Sequence, residues 1–292
     1  MGLDYRPALL TSVGIGRYVR ELSRALAERP DLRLHLFGHS WQQPGRPEHP
    51  AKARLHRSRL PGRSLATLAR LGIDATALCG HPALFHWTDY VHPPVRSKPV
   101  VLTIHDLAFA DDPRSHGSDQ SAELLARTRA AATQAARILV PSETTKTAVQ
   151  RLLHLPADRI AVTPLGADHA IRDGANAPRP SGLPADYAVA IGTIEPRKNH
   201  ALLLAAWRSL GCPNLVIVGR AGWQSDAVIA ELQAEHAAGA LQWRQSATDT
   251  ELWGILRHAT VALYPSRHEG FGLPPVEAMA LGTPVVAGDN EC

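Results

Sequence analysis

Short runs of Val, Ile and Leu alternate along the chain with longer amphipathic stretches, as in LRLHLF at residues 32 to 37, PVVLTI at 99 to 104 and RILV at 137 to 140. Runs this short and apolar suit strands buried on both faces, and the stretches between them suit crossover helices. The pattern predicts an α/β fold with parallel sheets. In the first half it places strands at residues 2 to 6, 32 to 37, 83 to 87, 99 to 104, 137 to 140 and 160 to 163. Helices are expected at 15 to 28, 62 to 71, 120 to 136 and 142 to 152.

From Asp168 to Tyr187 the periodicity lapses into DHAIRDGANAPRPSGLPADY, rich in Pro, Gly and Ala, which reads as a connection between domains. The strand pattern then restarts with YAVAIGTI and continues through NLVIVG, LQWRQ, TVALYP and TPVVAG, with helices near 198 to 210, 225 to 237, 249 to 258 and 273 to 281. The expected organisation is a first Rossmann-like domain over 1–168, a linker over 169–186 and a second domain over 187–292. Two doubly wound domains of this kind are expected to face a cleft, because ligands of open α/β sheets bind beyond the carboxyl ends of the strands. A complete second domain would carry roughly one more strand and a covering helix after TPVVAG, so it reads as truncated.

Composition refines this without redirecting it. Of 292 residues, 45% are hydrophobic and 20% charged, which is ordinary for a globular protein. Cys79, Cys212 and Cys292 have neither zinc nor disulfide spacing, which fits a reducing, cytoplasmic setting. No signal peptide and no membrane-spanning run is recognisable. The net charge of +4 has a local source: Arg46, Lys52, Arg54, Arg57, Arg59, Arg63 and Arg70 crowd one region. Two readings stay open for it, a solvated face or a peripheral contact with an anionic membrane. Nothing points to a nucleic-acid partner.

Candidate chemistry concentrates where strands end. HEGFGLPPVEAMALG follows the strand TVALYP directly: Gly270 and Gly272 allow close backbone approach, Pro274 and Pro275 suit a first helical turn, and the helix start offers unpaired N–H groups to an anion. Glu269 in the loop and Glu277 one turn into the helix can present carboxylates to hydroxyls at two depths of an extended ligand. Those two residues alone would equally fit a common Gly/Pro loop and a solvated helical glutamate. GTIEPRKNH, at 192 to 200, puts Arg197 and Lys198 at the next helix start, a placement that asks for a bound anion such as a diphosphate.

In the first half GIGRY opens the first long helix. Gly14 and Gly16 could admit a phosphate, but the third glycine of a dinucleotide fingerprint is replaced by Val19, and a plain turn is an open alternative. VVLTI runs into His105 and Asp106 at the carboxyl end of a strand, where an imidazole can donate to sugar hydroxyls. His86 is expected to line the acceptor side, and Asp89 and His92 are further loop candidates. No nucleophile elbow, Walker loop or metal-ligand spacing occurs, so hydrolase and kinase readings have no support.

These motifs, GIGRY, TIHDLAF, VPSETTK, VTPLGAD, GTIEPRKN, VGRAGW and YPSRHEGFGLPPVEAMALGTPVVAG, occur in the order that resembles glycosyltransferase family 4, with the GT-B fold, and its bacterial mannosyltransferase-like members. The resemblance implies donor contacts from Glu269 to the transferred sugar and from Glu277 to the ribose. It implies that Arg197 and Lys198 neutralise the departing diphosphate beside Gly16, that His105 touches the donor sugar, and that backbone amides of Phe271, Gly272 and Leu273 contact sugar or phosphate. It further implies transfer with retention of configuration and without a metal, from a nucleoside diphosphate sugar such as GDP-mannose to a glycan or lipid-linked acceptor. A truncated fragment of such an enzyme that binds nucleotide or sugar without turnover, and a GT-B epimerase or phosphorylase, are the alternatives.

Overall fold

A computed structural model describes the chain except residues 12–13, 42–47, 112–117, 212–213 and 290–292, so Arg46, Cys212 and Cys292 lie outside the described residues. It separates into two compact units, Met1–Pro164 and Leu165–Cys292.

The first unit holds seven strands, β1 (Gly2–Asp4), β2 (His35–His39), β3 (Arg54–Ser58), β4 (Phe85–Trp87), β5 (Val100–Thr103), β6 (Arg137–Val140) and β7 (Ile160–Val162). All pair in parallel in the order β3-β2-β1-β4-β5-β6-β7. Leu36 lies in one buried apolar cluster with Leu3 and Val19, while its neighbour Phe37 lies in another with Phe85 and Trp87. Successive strand residues point to opposite faces, so both faces of the sheet are covered, as the short apolar runs require.

One strand was not expected. β3, RLHRS, runs through the arginine-rich region as the edge of the sheet, and Arg54 and Arg57 are exposed. An edge strand has one partner and benefits from charge that discourages further pairing, so it lacks the apolar signature of the interior strands. The helices Ile15–Ala27, Gly62–Arg70, Ser118–Gln134 and Glu143–Leu153 fall where the periodicity puts them. Ser142 caps the last by accepting from Thr145 N.

The second unit repeats the plan with β8 (Ala188–Ile191), β9 (Leu215–Val218), β10 (Leu241–Arg244), β11 (Val261–Tyr264) and β12 (Val285–Ala287), all parallel in the order β10-β9-β8-β11-β12. Val216 and Val218 enter one core cluster and Leu215 and Ile217 the other. The helix Asp249–Arg257 starts with a full capping box between Thr248 and Glu251.

The boundary between units falls at Pro164 and Leu165, ahead of the stretch read as a linker. That stretch begins with the helix Asp168–Gly174 and packs into the second unit, with Ala170 and Ala177 buried beside Trp253. Its small residues serve close packing: a Cβ on Gly174 would meet Leu281 Cδ2 at 2.9 Å and Trp253 Cβ at 3.0 Å, and one on Gly254 would meet Pro178 O at 2.2 Å. Pro, Gly and Ala look alike in a flexible connection and in a tightly packed segment.

Candidate functional site

In each sheet the strand order reverses at one point, between β1 and β4 in the first and between β8 and β11 in the second, and the carboxyl ends there are where open α/β sheets bind ligands. The predicted residues gather at these two places.

In the second unit, the chain leaving β8 forms a single 3-10 turn, Pro196–Lys198, followed by Asn199 at φ 57°, ψ 38° and the helix His200–Leu210. The chain leaving β11 runs through 265 to 272 into the helix Leu273–Ala280. The two loops are joined by Arg267 N, which donates to Arg197 O at 2.9 Å. Arg197 and Lys198 therefore sit one turn ahead of the helix, not at its first residues as expected. Their charge is met by carboxylates: Arg197 donates to Glu269 Oε2 at 2.6 Å and Glu195 Oε1 at 2.7 Å, and Lys198 donates to Glu269 Oε1 at 2.7 Å. Lys198 also donates to Tyr264 OH at 3.0 Å, and Trp223 Nε1 donates to Glu195 Oε2 at 3.2 Å.

Glu269 is 7% exposed. Burial opposes its ionisation, but Lys198 and Arg197 together outweigh that and hold the carboxyl below its ordinary value. Burial, reinforced by the Glu269 charge, pushes the neighbouring Tyr264 phenol up, so it stays protonated. Two cations and two carboxylates balance, so an anion entering here exchanges places with carboxylates already bound to the cations.

Gly272 takes φ 83°, ψ 57°, which a side chain disfavours, and ends the loop so that Leu273, Pro274 and Pro275 open the helix. Phe271 and Leu273 flank it half-buried. Glu277 is not a solvated helical residue: it is 5% exposed, and its Oε1 accepts from His169 Nε2 at 2.7 Å. His169, within the supposed linker, escaped the sequence reading because only folding brings residues 108 positions apart together.

In the first unit, His105 follows β5 half-buried. Its Nε2 donates to Thr88 O at 2.9 Å, and the Tyr18 ring meets it edge-on at 4.8 Å. Burial lowers its pKa, so the ring is neutral at pH 7 with Nε2 already engaged, and Nδ1 is left as an acceptor. It was expected to donate. His86 is not a lining residue: it is 2% exposed and hydrogen bonded to Thr103 Oγ1 at 2.8 Å, which in turn meets Tyr18 OH at 3.0 Å. Burial pushes its imidazole down to about 4. His92 stacks on Trp87 at 4.0 Å, and Asp89 lies 3.8 Å from Arg6.

Sequence reasoning missed Asp4 and His39, which end β1 and β2 beside the reversal point. They are 0% and 4% exposed, and Asp4 Oδ1 lies 3.9 Å from His39 Nε2. Burial raises the Asp4 pKa well above the usual range and pushes His39 down to about 4. Their positions at strand carboxyl ends were the available signal.

Gly14 caps the helix Ile15–Ala27 at φ 56°. Gly16 is packed against the protein's own backbone, since a Cβ there would lie 2.1 Å from Thr11 O and 2.9 Å from Pro7 O. Arg197, Lys198 and Glu269 are thus brought together, Glu277 pairs with His169, and Gly14, Gly16 and His105 belong to the other unit. Among the described residues no group of three or more His, Cys, Asp or Glu is arranged to hold a metal ion. No helix among them is long and apolar enough to cross a membrane.

Residues 13–171 match the family model of Glycosyltransferase Family 4, and residues 178–292 that of Glycosyl transferases group 1. The chain is 31% identical over 308 residues to O-antigen chain mannosyltransferase B of Escherichia coli, covering 94% of this chain and 78% of that protein. Sucrose-phosphate synthase from Thermosynechococcus elongatus superposes with a TM-score of 0.72 at 20% identity, over 99% of this chain and 80% of that one. Anabaena Alr3699/HepE, solved in complex with UDP and glucose, gives 0.66 at 16% identity over the same shares, 99% and 80%. At these identities the structural likeness establishes the fold, GT-B.

Proposed function

The chain belongs to glycosyltransferase family 4, a membership from which we propose that it transfers mannose from GDP-mannose to a glycan or lipid-linked acceptor, with retention of configuration and without a metal. Transfer of a sugar from a nucleotide sugar is the activity of the group; the mannose donor is supported by the likeness to the O-antigen mannosyltransferase. The observation that carries the reading is the convergence of Arg197 and Lys198 on Glu269 at the reversal point of the second sheet.

A diphosphate arriving there draws the two cations from Glu269, and the released carboxylate accepts from hydroxyls of the donor sugar. Glu277 holds the ribose, and amides of Phe271, Gly272 and Leu273 contact sugar or phosphate; of the two first-unit glycines, Gly14 is the proposed phosphate contact, because Gly16 lies within the helix Ile15–Ala27 against Thr11 and Pro7. His105 touches the sugar, accepting at Nδ1. The acceptor oxygen forms its bond to the anomeric carbon on the face from which the diphosphate departs, and the leaving phosphate oxygen takes the acceptor's proton. The protein supplies orientation and charge stabilisation.

Incubating the chain with GDP-mannose, UDP-glucose or ADP-glucose and a mannose-terminated oligosaccharide tests the donor. Release of GDP with an α-linked product seen by NMR is expected; a β-linked product sinks retention, and turnover confined to another nucleotide sugar sinks the mannose donor. Binding without turnover supports a nucleotide-binding role instead.

The proposal includes a cytoplasmic location and a peripheral contact with anionic lipid through Arg46–Arg70, where Arg54, Arg57, Arg59, Arg63 and Arg70 are exposed. Co-sedimentation with phosphatidylglycerol vesicles at low and high salt checks the contact; equal, weak binding at both ends it.

A further inference from the structure

We infer that His169 is a positioning residue for donor binding, aligning the Glu277 carboxylate that receives the ribose hydroxyls; this rests on the donor reading above. Glu277 is 5% exposed and lies next to Ala278, which is 0% exposed, in the apolar cluster that contains Trp253 and Leu256. A carboxylate in such surroundings is strongly penalised unless hydrogen bonded, and its orientation follows its donors. His169 is one of them, at 2.7 Å, and is itself 4% exposed.

The imidazole is held from behind. Its ring lies 5.7 Å from that of Trp253, tilted by 55°, and the helix that carries it is pressed against Trp253 and Leu281 at Gly174, where no side chain fits. The histidine cannot retreat, so it fixes one oxygen of Glu277 and with it the plane of the carboxylate. A ribose presents two adjacent hydroxyls, and receiving both demands a carboxylate of set orientation. A satisfied core histidine with no part in binding would affect stability alone. A positioning histidine affects the discrimination between ribose and its deoxy analogue.

The test uses calorimetric dissociation constants of GDP, UDP and ADP on the intact chain, then the 2′,3′-dideoxy form of the tightest binder. The unsubstituted chain is expected to prefer the ribose form by about tenfold or more, the value of a hydrogen bond to a charged group. His169→Ala removes that preference while leaving dideoxynucleotide affinity within about twofold. In turnover the donor KM rises by a similar factor while kcat changes little. Should His169→Ala not fold, His169→Gln, whose amide reaches the carboxylate, keeps part of the preference, and the shorter His169→Asn loses it.

Undiminished preference in His169→Ala, or equal preference in the Gln and Asn variants, overturns the role of His169 and leaves the donor reading intact. Binding without ribose preference in the unsubstituted chain overturns the Glu277 assignment and this inference with it. If none of the three nucleotides binds, the donor reading itself has failed.

Discussion

At the carboxyl end of the second sheet cations and carboxylates meet in ion pairs, whereas at the corresponding end of the first burial works against the ionisation of histidines and aspartates. Arg197, Lys198, Glu195 and Glu269 meet in ion pairs of 2.6 to 2.7 Å, and the paired cations keep Glu269 ionised despite its burial. In the first unit burial pushes His39, His86 and His92 down to about 4 and raises Asp4 and Asp89. The same sheet topology thus carries two electrostatic designs. The first suits exchange with an anion, because the cations are already assembled and their desolvation is already offset by carboxylates. The second suits hydroxyls, which a neutral imidazole such as that of His105 binds without a net charge to neutralise.

The largest effect that can break this contrast is expected at Lys198. Lys198→Met should lower kcat/KM by about 10² to 10³-fold, as loss of a charge-stabilising donor does, and destabilise the second unit by about 3 kcal/mol because buried Glu269 loses a partner. Adding Glu269→Gln should restore most of the stability, read from denaturant unfolding, and none of the activity. Activity returning with stability would make the cluster a structural ion pair only.

In the first unit, Gly16→Ala should destabilise by about 3 kcal/mol, since the new methyl enters backbone that has no room for it. Gly14→Ala, with nothing within 4 Å but a φ of 56°, should cost about 1 kcal/mol. Denaturation midpoints check both. Equal effects would show that the tight approach of Gly16 to Thr11 and Pro7 is not what demands glycine there.

The smallest effect concerns pH. An imidazole with a lowered pKa contributes stability that is complete above its ordinary value of about 6.5 and is lost as pH falls toward the folded value. Asp4 and Asp89, raised by burial, act in the opposite sense, and His200 at about 4 gives the second unit one such imidazole of its own. In His86→Gln the pH slope of opening around β4 between pH 6.5 and 4 should flatten by up to about 1.4 kcal/mol per pH unit, with β9 unchanged. Hydrogen exchange of peptides covering the two strands reads this directly; an unaltered β4 slope removes His86 from the contrast.

Most of the fold was legible. Interior strands such as LVIV at Leu215–Val218 announce themselves because both faces are buried, and helix limits fell within a few residues of their expected places. β3 was not legible, because an edge strand with exposed arginines has a charge pattern indistinguishable from a solvated loop. The segment 169–186 misled for a related reason: residues small enough to pack closely are also those that make linkers. Of the site, both loops that bear the second unit's charges were visible from Gly, Pro and charge at strand ends. Glu277 was visible as a candidate but not as a buried one.

The sequence by itself determined the architecture, the family and the loops that face the ligand ends of the strands, because hydrophobic period, turn residues and ordered motifs are local properties of the chain. Only the tertiary structure decided that Arg197 and Lys198 share Glu269, that His105 has committed Nε2 and presents an acceptor, that His86 is interior, and that His169 reaches Glu277 across 108 positions. Each of these depends on which distant groups meet in a low-dielectric interior. Burial and pairing, not residue type, set the charge and direction of a polar side chain.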